Sequence, residues 1–276
     1  MLKIINTSFA LCFILLLNAQ TLLPINFIKN KLSVTKTVAN KTTSSTSIGN
    51  MEINNNVNTV SIIAIKANPT NNDSAAIETT FAKIKMFAEA MGRKMEYDSD
   101  NPLTSTYAAT EGLSNVVGSS VRYYINKNGL VTSIDTTQKI SISPKLNLSQ
   151  FGGFSIGADC NLYLNITKAT KIGDTWTDSS FADNAKINKR YTYKSFKNGI
   201  AIVEYTSIIK ISGETEQMGM KVKMKQQGTL NGVMTVNINN LLITSNKYIS
   251  NISGTVEAAG QSMPSKLIAE VNETVD

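Results

Sequence analysis

Gly153-Phe-Ser155-Ile-Gly157 has the Gly-x-Ser-x-Gly form of a nucleophile elbow, where small residues permit the strained turn that presents a serine hydroxyl. Such a serine needs a base, and the 276 residues contain no histidine. That absence removes Ser-His-Asp and Cys-His nucleophiles, imidazole general bases and every metal site that needs an imidazole ligand. Ser33-Val-Thr-Lys36, Ser99-Asp-Asn101 and Lys171-Ile-Gly173 occur in the order used by penicillin-recognising serine enzymes, whose base can be a lysine. Against it, Ser33 lies almost at the mature N-terminus, Ile172 stands where Thr or Ser is expected, and Ser99-Asp100-Asn101 suits a helix cap. A lysine-assisted serine hydrolase is therefore the last-ranked reading.

The carboxylates give no better chemistry. Asp98, Asp100 and Asn101, and again Asp174, Asp178 and Asp183, supply oxygen ligands for calcium, but no spaced loop with a distal bidentate acid follows. Turn and cap roles explain them locally. Glu204 with Glu214 and Glu216 is the candidate pair for glycoside hydrolysis, and solvated strand faces are the simpler reading. No catalytic residue, metal ligand or cofactor is assigned.

What remains is binding. Met218, Met220, Met224 and Met234, together with Trp176, are the candidate ligand-binding residues, because methionine adapts to varied apolar shapes and the indole is a large apolar surface. A lone Trp beside a turn, as Trp176 is, is more often a core anchor than a ligand platform. Lys221, Lys223 and Lys225 share one strand face, which fits protection of a sheet edge or contact with anionic headgroups or glycans. Lys and Arg number 27 against 20 Asp and Glu, for a net charge of +7, but the cations are scattered. A nucleic-acid partner is not indicated.

The elements that must position these residues are mostly strands. Residues 1–19 read as a signal peptide: Lys3, an apolar run from Phe9 to Leu17, then Asn18-Ala19-Gln20. The run is too short for a permanent membrane span, so no integral span is expected after cleavage, and an uncleaved anchor is the alternative. Without Cys12 the mature chain keeps Cys160 alone, a small buried residue with no internal disulfide. Residues 20–47 read as a tether, and 48–276 as a single β-rich domain of two sub-halves meeting near 140–176. Val60 to Ile65 is a strand, with turns expected at Asn54–Asn56 and Asn68–Asn72. Asp73 to Tyr97 fits a helix or a strand, and the strand turning at Gly92 is preferred. Asp100-Asn101-Pro102 predicts the start of a helix that Gly118 stops. A hairpin follows, Val121–Ile125 and Leu130–Ile134.

Gly173-Asp174 predicts a tight turn before Trp176. Beyond it Arg190–Phe196, Ile200–Ile211, Met218–Gln227, Gly232–Ile238 and Ile243–Ile249 alternate as an antiparallel meander, with Val256 and Met263–Val271 as closing strands.

Tyr97-Asp-Ser99, Asn128-Gly-Leu-Val-Thr-Ser-Ile134, Lys171-Ile-Gly-Asp-Thr-Trp176 and the closing meander resemble a family of exported bacterial proteins of unknown function. In outline such proteins are similar to the half-barrels of periplasmic lipoprotein carriers, and the resemblance implies no catalytic residues. The expected fold is mainly β (α+β), a curved antiparallel sheet or half-barrel with one or two helices packed on it. The expected function is a non-catalytic exported protein of the periplasm, the outer-membrane surface or the medium. It binds a lipid or other apolar ligand in a curved-sheet groove, or an envelope protein partner. A structural or surface-interaction module with a filled core is the alternative.

Overall fold

The computed structural model describes residues 31–48, 51–71, 74–90, 92–105, 113–135, 156–166, 169, 171–182, 185–217, 220–258 and 260–276. In chain order the strands are β1 (Leu32–Ile48), β2 (Met51–Asn71), β3 (Ser74–Ala90), β4 (Arg93–Asp98), β5 (Ser120–Asn126) and β6 (Val131–Ile134). The second half holds β7 (Thr175–Ala182), β8 (Ala185–Lys197), β9 (Ile200–Gln217), β10 (Met220–Asn237), β11 (Leu242–Ala258) and β12 (Gln261–Val275).

All belong to one antiparallel sheet of order β6-β5-β3-β2-β1-β12-β11-β10-β9-β8-β7, with β4 added beside β3. The chain starts at the middle of the sheet, steps outward to β6, crosses to the far edge at β7 and steps back to end beside its own first strand. Strict alternation makes this possible. In β9, Ala201, Val203, Tyr205, Ser207 and Ile209 are buried, while Ile202, Glu204, Thr206, Ile208 and Lys210 are exposed, so each strand has one inner and one outer face.

The preferred strand over residues 73–97 is present as β3 and β4, turning at Gly92, whose φ of 73° is one that glycine adopts freely. Other expectations are corrected. Asn54–Asn56 lies inside β2, because Ile48 pairs with Met51 and the chain has already reversed. Met218–Gln227 and Gly232–Ile238 are not two strands: β10 runs unbroken through Gly228. Of residues 20–47, read from sequence as tether, 32–47 belong to β1. Of the helices expected against the sheet, the described residues hold one 3-10 turn, Pro102–Thr104; residues 106–112 lie outside them.

The core fills one end of the curved sheet. Ile63 and Ile65 of β2, Ile77, Phe81 and Ile84 of β3 and Ile125 of β5 meet Tyr191, Tyr193, Val203, Tyr205 and Val236 from the other half. The crossover between β6 and β7 passes through this end, burying Leu162, Leu164 and Ile166. It also bridges the two edges. The Gly157 amide donates to the Val131 carbonyl of β6, and the Phe181 amide of β7 donates to the Gly157 carbonyl.

Tyr123, Tyr163, Tyr191, Tyr205 and Tyr248 are each pushed well above the ordinary phenol range, burial being the largest cause in every case. In the unfolded chain a tyrosine loses its proton near pH ~10. The folded state therefore holds more protons above that pH, and its stability, full below about 10, falls as pH rises further. Alkaline titration should show no tyrosinate absorbance from these rings at the ordinary pKa. A late, cooperative rise together with loss of sheet circular dichroism is expected instead.

Candidate functional site

One row of inner-face residues crosses most of the sheet. Thr59 pairs with Asn40, Asn40 with Val271, Val271 with Tyr248, Tyr248 with Gly232, Gly232 with Tyr205, Tyr205 with Tyr191 and Tyr191 with Trp176. Across β2 to β9 a groove of about 880 Å³ follows the backbone of this row on the outer face, between one exposed row that holds Val60, Val233 and Glu204 and another that holds Asn58, Ile249 and Glu270. On the inner face, Gly232 makes room for the Tyr205 ring. A β-carbon there would lie 2.6 Å from the Tyr205 ring, and that ring is pinned because its hydroxyl donates to Asn246 Oδ1 at 2.8 Å. Gly232→Ala should cost about 1–3 kcal/mol by overpacking, measurable as a lower urea midpoint, whereas Thr229→Ala on the outer face should cost little.

Beneath this row the inner face is polar and closed. Asn246 Nδ2 donates to Glu273 Oε2 at 3.0 Å, Lys36 Nζ lies 3.3 Å from the same oxygen, and Lys36 also donates to the Asn161 carbonyl of the crossover. A second lysine does the same work on β8: Lys189 Nζ donates to Asp159 Oδ2 at 2.7 Å. Burial opposes the charged form of Lys189, but Asp159, Tyr191 and the hydrogen bond to Asp159 together outweigh it, and the ammonium is held above the ordinary lysine range. Two inward lysines thus tie the crossover to opposite parts of the wall. Cys160, between these anchors, has its thiol pushed up to about 12, by burial first and then by Asp159. At neutral pH it is a thiol, not a nucleophilic thiolate.

Toward the other end of the strands the inner face continues as Leu230, Ile252, Leu267, Ile211, Met224, Val256 and Met263, all half-buried.

The sequence-predicted ligand residues do not converge. Trp176 is 7% exposed and stacks on Tyr191 with ring centroids 5.0 Å apart, so it anchors the core at the end of the Gly232 row, beyond Tyr191. Met234 is buried in the next inner-face row, opposite Asn246 and Val203. Met224 lies eight residues from Gly232 along β10, about 27 Å away. Met220 opens β10, and Met218 lies outside the described residues.

Of the other motifs, Ser155 and Asp183 lie outside the described residues. Ser33 is exposed on β1, on the face opposite to the buried Lys36. The Ser99 hydroxyl accepts from the Ile84 amide, Asp98 from the Asp100 amide, Asp174 from the Lys171 amide and Asp178 from the Ser179 amide. These are the local turn roles expected of such residues. Glu204 pairs at 3.1 Å with Lys194 on the outer face. An edge-protecting role for the β10 lysines falls away, because β10 is paired on both sides and Lys223 stands between Glu214 and Glu257.

Sequence reading missed Asn40, Thr59, Tyr205, Gly232, Tyr248 and Val271, since only the register brings six strands to one row. A signal did exist for the buried polar groups: Lys36, Lys189 and Glu273 each occupy the apolar phase of their strands, beside Val34 and Val38, Ile187 and Tyr191, and Val271 and Val275.

No curated protein matches the chain. Among solved structures it is similar to a lipovitellin chain, from a structure concerned with lipid–protein interactions, at a TM-score of 0.51 and 10% identity. The match covers 89% of this chain and 25% of that one, so the chain spans about a quarter of the lipovitellin it resembles, and the likeness is one of fold. An outer membrane channel of Pseudomonas putida F1 is matched over 89% of this chain and 96% of its own, at 8% identity and a TM-score of 0.24. The profile of a family of unknown function (DUF6263) matches residues 72–152 and 150–243, from the β2–β3 turn, through the crossover, into β11. With more than half of its length covered in this way, the chain belongs to that family of unknown function.

Proposed function

We propose that this is a non-catalytic exported protein that holds a lipid or other apolar ligand in a groove of its curved sheet. The observation that carries the reading is the groove of about 880 Å³ that crosses six strands. Its volume lies within the range of small-molecule sites, about 300–1,000 Å³. Val60, Val233 and Ile249, 42–49% exposed, supply apolar surface along the groove, while Asn58, Lys247 and Asn272 supply polar groups beside them. An amphipathic ligand fits this mixture. The outer face supports a water-facing sheet: Glu52, Asn54, Asn56 and Asn58 on β2 and Lys223, Lys225 and Gln227 on β10 are exposed where a membrane barrel carries an apolar band. Export rests on the leader-like residues 1–19.

The filled lower end, with Trp176, Tyr191 and Tyr205 in one aromatic row, favours the second reading, a structural module. Purifying the chain natively, extracting it with organic solvent and analysing the extract by mass spectrometry separates the two. A lipid in stoichiometric amount, lost on obstructing the groove with Val233→Trp, is the expected result. A clean extract that stays clean after incubation with lipid would favour the module.

A further inference from the structure

On the outer face of β7, β8, β9 and β10 the register sets three exposed rows side by side. They are Phe181, Lys186, Lys210 and Gln227; then Ser179, Asn188, Ile208 and Thr229; then Thr177, Arg190, Thr206 and Asn231. Two features of this patch go against the ordinary composition of a solvated sheet.

Lys186 and Lys210 stand directly opposite each other, a like-charge pair that weakens the ladder rather than supporting it. Arg190 lies two rows away and Lys225 one step beyond on β10, and none of the four cations pairs with a carboxylate among the described residues. By contrast, Lys194 and Lys223, just outside the patch, have Glu204, and Glu214 with Glu257, beside them.

Large apolar side chains also point outward among these cations. Phe181 is 56% exposed, with Lys186 Nζ 5.3 Å from its ring centroid, and Ile208 is 55% exposed. Ile156, 63% exposed, joins them through Gly157, whose carbonyl accepts from the Phe181 amide. The packing of the fold does not require them there.

We infer that this outer patch docks the protein onto an anionic lipid surface, Phe181, Ile208 and Ile156 entering the headgroup boundary and Lys186, Lys210, Arg190 and Lys225 meeting the lipid charges. Unpaired cations around protruding apolar groups match the two forces that hold a protein at a membrane interface, apolar burial and attraction to anionic headgroups. A nucleic acid would use the cations but would leave the isoleucines in water. The groove adjoins the patch, Thr206 and Asn231 belonging to both, but the apolar groups and cations assigned to docking lie outside its lining. The inference does not rest on the groove holding a ligand.

The test is co-sedimentation of the full chain with vesicles of phosphatidylcholine alone or with phosphatidylglycerol as a substantial fraction, at low and physiological salt. Binding only to the anionic vesicles is expected, weakening as salt is raised. Lys186→Glu with Lys210→Glu should weaken it at least tenfold, and Phe181→Ser with Ile208→Ser severalfold, the latter with little change in salt dependence. Lys41→Glu with Lys266→Glu, away from the patch, should leave binding within about twofold. Circular dichroism of each variant checks its fold, and if the double reversal misfolds, Lys186→Gln with Lys210→Gln reads the same effect. Absence of binding to anionic vesicles at low salt, equal binding to neutral ones, or equal losses from the distant pair would overturn the inference. Retention on nucleic acid without vesicle binding would overturn it too. Because groove occupancy is read by lipid extraction and docking by sedimentation, either can fail while the other stands.

Discussion

Lys189→Met is expected to lower the unfolding free energy by about 3–5 kcal/mol, because it strands the Asp159 carboxylate against the inner wall without its partner. The Lys189 side chain is 9% and that of Asp159 20% exposed. Some water therefore reaches the acid, and the effect belongs toward the lower end of that range. Lys189→Met with Asp159→Leu should recover most of the loss, since the charges leave together and apolar replacements of a buried pair are often neutral. Denaturant titration of the two single variants and the double closes the cycle. A double variant as unstable as the sum of the singles would show that the two groups act independently and that the crossover is not pinned by this contact. Against a total stability of about 5–15 kcal/mol, the single variant should be marginal at physiological temperature.

Trp176→Ala is expected to cost a similar amount, about 3–5 kcal/mol. The indole is packed between the turn at Gly173-Asp174 and the Tyr191 ring, and its removal leaves Tyr191 uncovered on the edge side of the sheet. That turn has little slack, because the Gly173 amide donates to the Tyr193 carbonyl and the Tyr193 amide donates back to the Asp174 carbonyl. Collapse into the space is thus hindered, which keeps the cavity term large. Trp176→Phe should cost roughly half as much, retaining a ring over Tyr191. Thermal melts check both. If Trp176 were instead a ligand platform, Trp176→Ala would melt near the parent temperature and lose lipid.

The strands were readable from sequence because β-sheet geometry writes itself with a period of two. In β9 and β12 apolar residues recur at every second position with few breaks, Ser207 in one and Ser265 and Glu273 in the other, and no helix accommodates that spacing. The turn before Trp176 was readable for an equally local reason, glycine at a positive φ of 96° followed by an aspartate that accepts the Lys171 amide. The site was not readable. Asn40 and Thr59 carry no local mark that separates them from Thr43 or Asn56 on the outer face. They matter because β1 lies between β2 and β12, a fact about pairing and not about composition. The methionines misled for the opposite reason. Their softness is visible in the sequence, but Met234 and Met224 sit at different heights on β10, one buried and one half-buried.

The lysine alternation on β10 was equally visible, and an edge role for it depended on strand order, which alternation does not specify.

The pairing of the first strand with the last governs how the molecule is made. Lys36 and its partner Val275 are separated by roughly 240 residues, so the ladder at the centre of the sheet is the last that synthesis permits. Pairs of such high contact order form slowly, since loop closure comes before the contacts that reward it. Until β12 emerges, β1 presents an open edge seventeen residues long. For that interval the exposed edge is a template on which another chain can pair.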